Sequence, residues 1–145
     1  METVLILDFG AQYSQLIARR VREQNVYCEV KPCSISPAEI EKIAPIGIIL
    51  SGGPQSVYES VSLRVDPALF ALGIPVLGIC YGCQLMAYSL GGTVAAATEA
   101  TAREYGKTLT EFDTDCSIFQ GLPASSVTWM SHGDYISQVP DGFAV

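Results

Sequence analysis

Four short apolar runs, at residues 3–9, 26–30, 46–50 and 74–79, constrain this chain more than any other feature. They are nearly continuous rather than alternating, the pattern of strands buried on both faces. After the first, Gly10 interrupts, and Tyr13, Leu16, Ile17, Arg20 and Val21 recur at helical spacing. Pro32 is expected to block extension of the second strand. Ser36-Pro37 followed by Ala-Glu-Ile-Glu-Lys-Ile reads as a capped helix, because the serine accepts an orphan amide and the proline has none to lose. Helical patterns are also expected over residues 66–72 and 84–90, the second closed by Gly91-Gly92. This alternation predicts an α/β fold in three layers, with a mostly parallel central sheet and helices on both faces.

From Thr93 the texture changes. Residues 94–96 and 102–112 read as solvent-edged antiparallel strands, a small extension of the fold. Residues 118–123 read as a compact turn, residues 127–130 as a strand interrupted by Ser131-His132-Gly133-Asp134, and residues 142–145 as a further strand. With 145 residues, 49% hydrophobic and 16% charged, the chain has material for one domain with a substantial core. A net charge of −7, with lysines and arginines scattered, argues against a nucleic-acid partner. The opening METVLILDFG lacks a basic leader, and no apolar run is long enough to cross a bilayer, so a cytoplasmic protein without a membrane partner is expected.

The chemistry centres on Gly78-Ile79-Cys80-Tyr81-Gly82, which has the form of a nucleophile elbow: a strand, one reactive residue, then a sharp turn into a helix. The helix N-terminus favours a thiolate there, and the Tyr81 amide would face an oxyanion formed beside the sulfur. A second donor is expected from Ser51-Gly52-Gly53-Pro54, since parallel strands deliver their C-terminal ends to one edge, and Gly53 is the residue chosen. The bland reading of Gly52-Gly53 is a tight turn alone. Cys80-x-x-Cys83 also admits a thioredoxin-like redox reading, against which Cys83 is taken as a small buried residue of the helix. The other cysteines, at 28, 33 and 116, carry no motif, and no metal site is expected.

Acyl transfer needs a base, and His132 is the single histidine. A Cys80–His132 dyad oriented by Asp134 is one reading; the preferred one places His132 in a polar loop lining the pocket without proton transfer. Asp8 could take a metal but more often such an acid binds backbone amides. Arg19 and Arg20 could take a phosphate, though adjacent helical positions diverge. Tyr13 is read as packing or contacting a partner domain.

Four segments, residues 6–13, 50–56, 75–86 and 129–134, resemble the class I (triad-type) glutamine amidotransferases, a flavodoxin-like fold family, and most resemble its branch serving GMP synthesis. The Gly-Ile-Cys-x-Gly-x-Gln pattern carries the class; Phe9-Gly-Ala-Gln-Tyr13 and Met130-Ser-His-Gly-Asp134 carry the branch. The resemblance implies Cys80 as nucleophile, Gly53 and Tyr81 amides as oxyanion hole, Gln84 on the substrate glutamine, and Ser131 and His132 at its amino-acid end. Asp134 and Tyr13 are left to structure or interface. It further implies a catalytic His and Glu in a later His-Pro-Glu motif that this sequence does not reach, so a truncated domain, inactive by itself, is expected. It implies no cofactor in this domain, with ATP and magnesium in an ATP-pyrophosphatase synthetase partner domain, fused or separate, through which a homodimer forms. Two alternatives stand beside it: a glutaminase of another class I pathway, and a regulatory or binding module that retains the elbow.

Overall fold

The structure, a computed structural model, describes residues 2–96 and 104–145, without the side chains of Glu104, Tyr105, Ser131 and His132. Its elements in order are β1 (Thr3–Asp8), α1 (Tyr13–Glu23), β2 (Tyr27–Pro32), α2 (Pro37–Ile43), β3 (Gly47–Leu50), β4 (Val76–Gly78), α3 (Tyr81–Ser89), β5 (Thr93–Ala96), β6 (Glu104–Glu111), β7 (Ser125–His132) and β8 (Asp134–Gln138). Short 3-10 turns at Pro67–Ala71 and Ser117–Phe119 complete them. Strands β1 to β4 form one parallel sheet in the order β2-β1-β3-β4.

Period-two alternation sends the sheet's side chains to two cores. Leu5, Leu7, Ile48 and Leu50 join Ile40 of α2 and Tyr81 and Leu85 of α3 on one face. Ile6, with Val4 and Ile49, meets Ala18, Ile17 and Val21 of α1 on the other. The three layers expected from the sequence are therefore present. Two antiparallel ribbons, β5–β8 and β6–β7, make the extension.

Several local expectations are corrected. Strand β2 runs past the expected end at Val30 and stops at Pro32, as its sequence predicts, and an edge strand tolerates the proline as its last residue. The 66–72 segment is a 3-10 turn rather than a helix, opened by the Asp66 carboxylate accepting from the Ala68 amide at 2.9 Å. Helix α3 starts at Tyr81, ahead of the apolar periodicity, because the elbow and not hydrophobic spacing sets its origin. Strand β7 runs unbroken through Ser131 and His132, pairing these with Tyr105 and Glu104, and Gly133 alone separates it from β8. Residues 142–145 join no ladder. Of the strand read at 102–112, Ala102 and Arg103 lie outside the described residues. Ser36 caps α2, as its sequence predicts, and Glu39 completes a capping box that sequence reading did not name. No described helix is long and apolar enough to cross a membrane.

Candidate active site

All four parallel strands end on one edge, and the strand order reverses about β1, so β1 and β3 diverge to opposite neighbours there. Such switch points are where open α/β sheets bind ligands. The turns after β1, β3 and β4 carry Phe9, Ser51 to Gly53, and Cys80.

Cys80 is the N-cap of α3 and sits at φ 54° and ψ −117°, a left-handed backbone that costs a non-glycine residue of order 1–3 kcal/mol. Four hydrogen bonds enforce it. The Gly82 amide donates to Ser51 O at 3.2 Å, the Ile79 amide to Leu50 O at 3.0 Å, and the Cys83 and Gln84 amides to Cys80 O at 3.0 and 3.1 Å. The Tyr81 amide, first of the helix, is not among these donors and adjoins the cysteine. The glycines flanking the corner are required by packing: a Cβ on Gly78 would meet Cys83 Cα at 2.6 Å, and one on Gly82 would meet Leu50 O at 2.3 Å. The thiol-bearing residue itself is exposed.

The Gly52-Gly53 loop lies directly against this corner. A Cβ on Gly52 would sit 3.5 Å from Cys80 Cβ, and one on Gly53 would sit 3.3 Å from Phe9 and 3.5 Å from the Tyr81 ring. Phe9 and Tyr81 pack edge to face with centroids 5.3 Å apart, and the buried Tyr81 hydroxyl donates to Leu63 O, latching the 54–66 loop over the helix start. Gln84 is buried and its amide nitrogen donates to Asp134 O at 3.0 Å, so it ties α3 to β8. The side chains of Ser131 and His132 lie outside the described residues. Tyr13 opens α1 on the same edge and is 62% exposed, available for contact.

Other candidate roles dissolve. Asp8 Oδ1 accepts from the Gly10 amide at 3.0 Å and from Ser14 Oγ at 2.6 Å, the amide-binding role weighed above for such an acid. Arg19 and Arg20 both pair with Glu23, at 3.2 and 2.8 Å, on an exposed helix face. Burial pushes the Cys83 thiol up, and charge at Cys80 pushes it further, so Cys83 stays protonated inside the helix. Burial likewise raises Cys33. Brief treatment with iodoacetamide at neutral pH is therefore expected to modify exposed Cys80 and Cys116 and to spare Cys28, Cys33 and Cys83, as read by peptide mass. Modification of Cys83 alongside Cys80 would contradict this placement.

Sequence reading missed Ser14 and Ser51. Ser51 is fully buried, and its hydroxyl lies within 3.4 Å of the Phe9 amide, 3.2 Å of Ser14 Oγ and 3.2 Å of Gly52 O. The signal was a hydroxyl at the end of an otherwise apolar strand, where an aliphatic residue would continue the pattern.

Comparison with known proteins places this geometry. The model of the class-I glutamine amidotransferase family matches residues 5–145. The GMP synthase [glutamine-hydrolyzing] of Natranaerobius thermophilus is 54% identical over 144 residues, covering 99% of this chain and 28% of that protein. The proteins of the same name from Clostridium botulinum and Geobacillus kaustophilus are 53% and 54% identical over the same span. The chain thus spans 28% of the length of these relatives. Among solved structures, a proposed GMP synthase subunit protein from Thermoplasma acidophilum superposes with a TM-score of 0.81 at 30% identity, covering 97% of this chain and 69% of that one. A glutamine amidotransferase from Thermotoga maritima shares the fold, with a TM-score of 0.72 at 24% identity over 95% of this chain and 63% of its own.

Proposed function

The chain belongs to the class I glutamine amidotransferase family, and on that footing we propose that it is the glutamine-hydrolysing part of an enzyme that aminates XMP to GMP. The observation that carries the proposal is Cys80 held at φ 54° on the strand-to-helix corner with the Gly52-Gly53 loop against it.

In this reading the Cys80 sulfur attacks the side-chain amide carbon of glutamine, and the carbonyl electrons move onto oxygen. The amides of Tyr81 and Gly53 receive that oxyanion. Collapse expels the amide nitrogen, which takes up a proton and leaves as ammonia, giving a thioester at Cys80. Water then attacks the thioester and releases glutamate. Ser131 and His132 offer backbone groups to the amino-acid end of glutamine, and Gln84 shapes that side of the site through its hold on Asp134. The proton transfers need a base and later an acid. We assign these to a His and Glu in the part of the longer polypeptide beyond this span, in keeping with the relatives' greater length. The ammonia passes to a synthetase domain, where ATP and magnesium activate XMP.

The test uses a chloroketone analogue of glutamine on the full-length polypeptide. One adduct is expected, on the Cys80 peptide, and excess glutamine should suppress it. Labelling spread over several cysteines, or unaffected by glutamine, would overturn the assignment. A clean Cys80 adduct without any glutamine turnover would favour a binding module that retains the elbow.

A further inference from the structure

The Gly52-Gly53 loop owes its orientation to a side chain outside the elbow. Ser51 Oγ donates to Gly52 O at 3.2 Å in a buried setting. In a trans peptide the carbonyl and the following N–H point in opposite directions. Holding Gly52 O inward against Ser51 therefore turns the Gly53 N–H away from the core. Glycines at both positions leave that peptide little torsional resistance of its own, so a hydrogen bond must hold it.

The hydroxyl is itself fixed from three sides. The Phe9 amide donates to Ser51 Oγ at 3.4 Å, and Ser14 Oγ lies 3.2 Å from it. Ser14 is anchored by the Asp8 carboxylate at 2.6 Å, a charge-assisted contact. The Phe9 amide occupies one Ser51 lone pair, and the single Ser51 proton goes to the Gly52 carbonyl, a stronger acceptor than the Ser14 hydroxyl at the same 3.2 Å. The backbone of the same residue accepts from the Gly82 amide of the elbow at 3.2 Å, so one residue sets both sides of the corner.

We infer that Ser51, braced by Ser14 and Asp8, is a positioning residue that latches the Gly52-Gly53 peptide with the Gly53 N–H aimed at the oxyanion. This rests on the glutaminase reading given above. The latch acts on the barrier and not on substrate affinity, because the oxyanion exists only after attack.

The experiment compares Ser51→Ala and Ser51→Thr in the full-length polypeptide. Ser51→Ala is expected to lower kcat about 10- to 100-fold, part of the 10²- to 10³-fold that loss of a whole oxyanion donor costs. KM for glutamine should be unchanged, and so should the rate of Cys80 alkylation by iodoacetamide, a displacement that forms no oxyanion. Ser51→Thr, which keeps the hydroxyl, should restore most of kcat. If Ser51→Ala does not fold, Ser51→Cys, near in volume and a weak donor, takes its place. An unchanged kcat in the folded variant would overturn the latch, as would a parallel fall in turnover and alkylation. Should the wild type hydrolyse no glutamine, the glutaminase reading fails by itself, and crystals of Ser51→Ala still decide the latch: a turned Gly52-Gly53 peptide supports it, and an unmoved one overturns it.

Discussion

In the full-length polypeptide, Cys80→Ala is expected to lower glutamine hydrolysis by about 10⁴-fold or more, because removing the proposed covalent nucleophile leaves only binding and oxyanion stabilisation. On the proposed function, formation of GMP from added ammonium salt should survive in the same variant, since the substitution removes the source of ammonia and nothing in the proposed synthetase chemistry. Stability gives an independent readout. Alanine retains a Cβ at φ 54°, so the backbone strain persists and the melting temperature should move little. Cys80→Gly relieves that strain and should melt at or above Cys80→Ala, despite the extra unfolded-state freedom of glycine. Both variants should be equally inactive. Glutamine turnover retained in Cys80→Ala would remove the chemical basis of the assignment, and a large loss of stability in Cys80→Gly would show that the corner is held by contacts to the thiol rather than by its glycine neighbours.

The sheet was legible because its signal is redundant. In β1 the same residues that make a continuous apolar run, Leu5, Ile6 and Leu7, supply both cores, so burial on two faces could be read from the run alone. The elbow was legible for a similar reason: Gly78 and Gly82 report contacts at 2.6 and 2.3 Å that no other residue type permits. Where a single signal stood alone, reading failed. Ser131 to Asp134 read as a loop on composition, yet the ladder to β6 runs through His132, because cross-strand pairing and not local propensity fixes that segment. The Ser14–Ser51 contact joins residues 37 apart in sequence, and no local pattern encodes such a meeting.

Gly82→Ala should destabilise the protein by about 3 kcal/mol or more, at or beyond the upper end of ordinary overpacking. The new Cβ would lie 2.3 Å from Leu50 O and 2.7 Å from Leu50 C, both backbone atoms of a central strand. Neither can swing aside as a side-chain tip could. Leu50 O also accepts from the Ile79 amide at 3.0 Å, so displacing it loosens the link that sets the elbow. The alternative is for α3 to retreat, which unpacks Tyr81 and Leu85 from the larger core. Gly78→Ala meets Cys83 Cα at 2.6 Å and should behave alike. Gly47→Ala is the control, since its nearest neighbour would be Pro75 O at 3.8 Å, and it should be neutral or slightly stabilising. Thermal melts of the three variants separate the explanations. Losses at Gly78 and Gly82 with none at Gly47 locate the cost in the close approach of helix to strand. Similar small losses at all three would mean that the corner can relax, and with it the claim that the fold compels Cys80 into its reactive backbone would fall. Gly53→Ala distinguishes geometry from stability, because its 3.3 Å contacts with Phe9 need a shift of only tenths of an ångström. That variant should keep most of its melting temperature and still lose turnover, since the displaced atom group carries the amide proposed above as the second oxyanion donor.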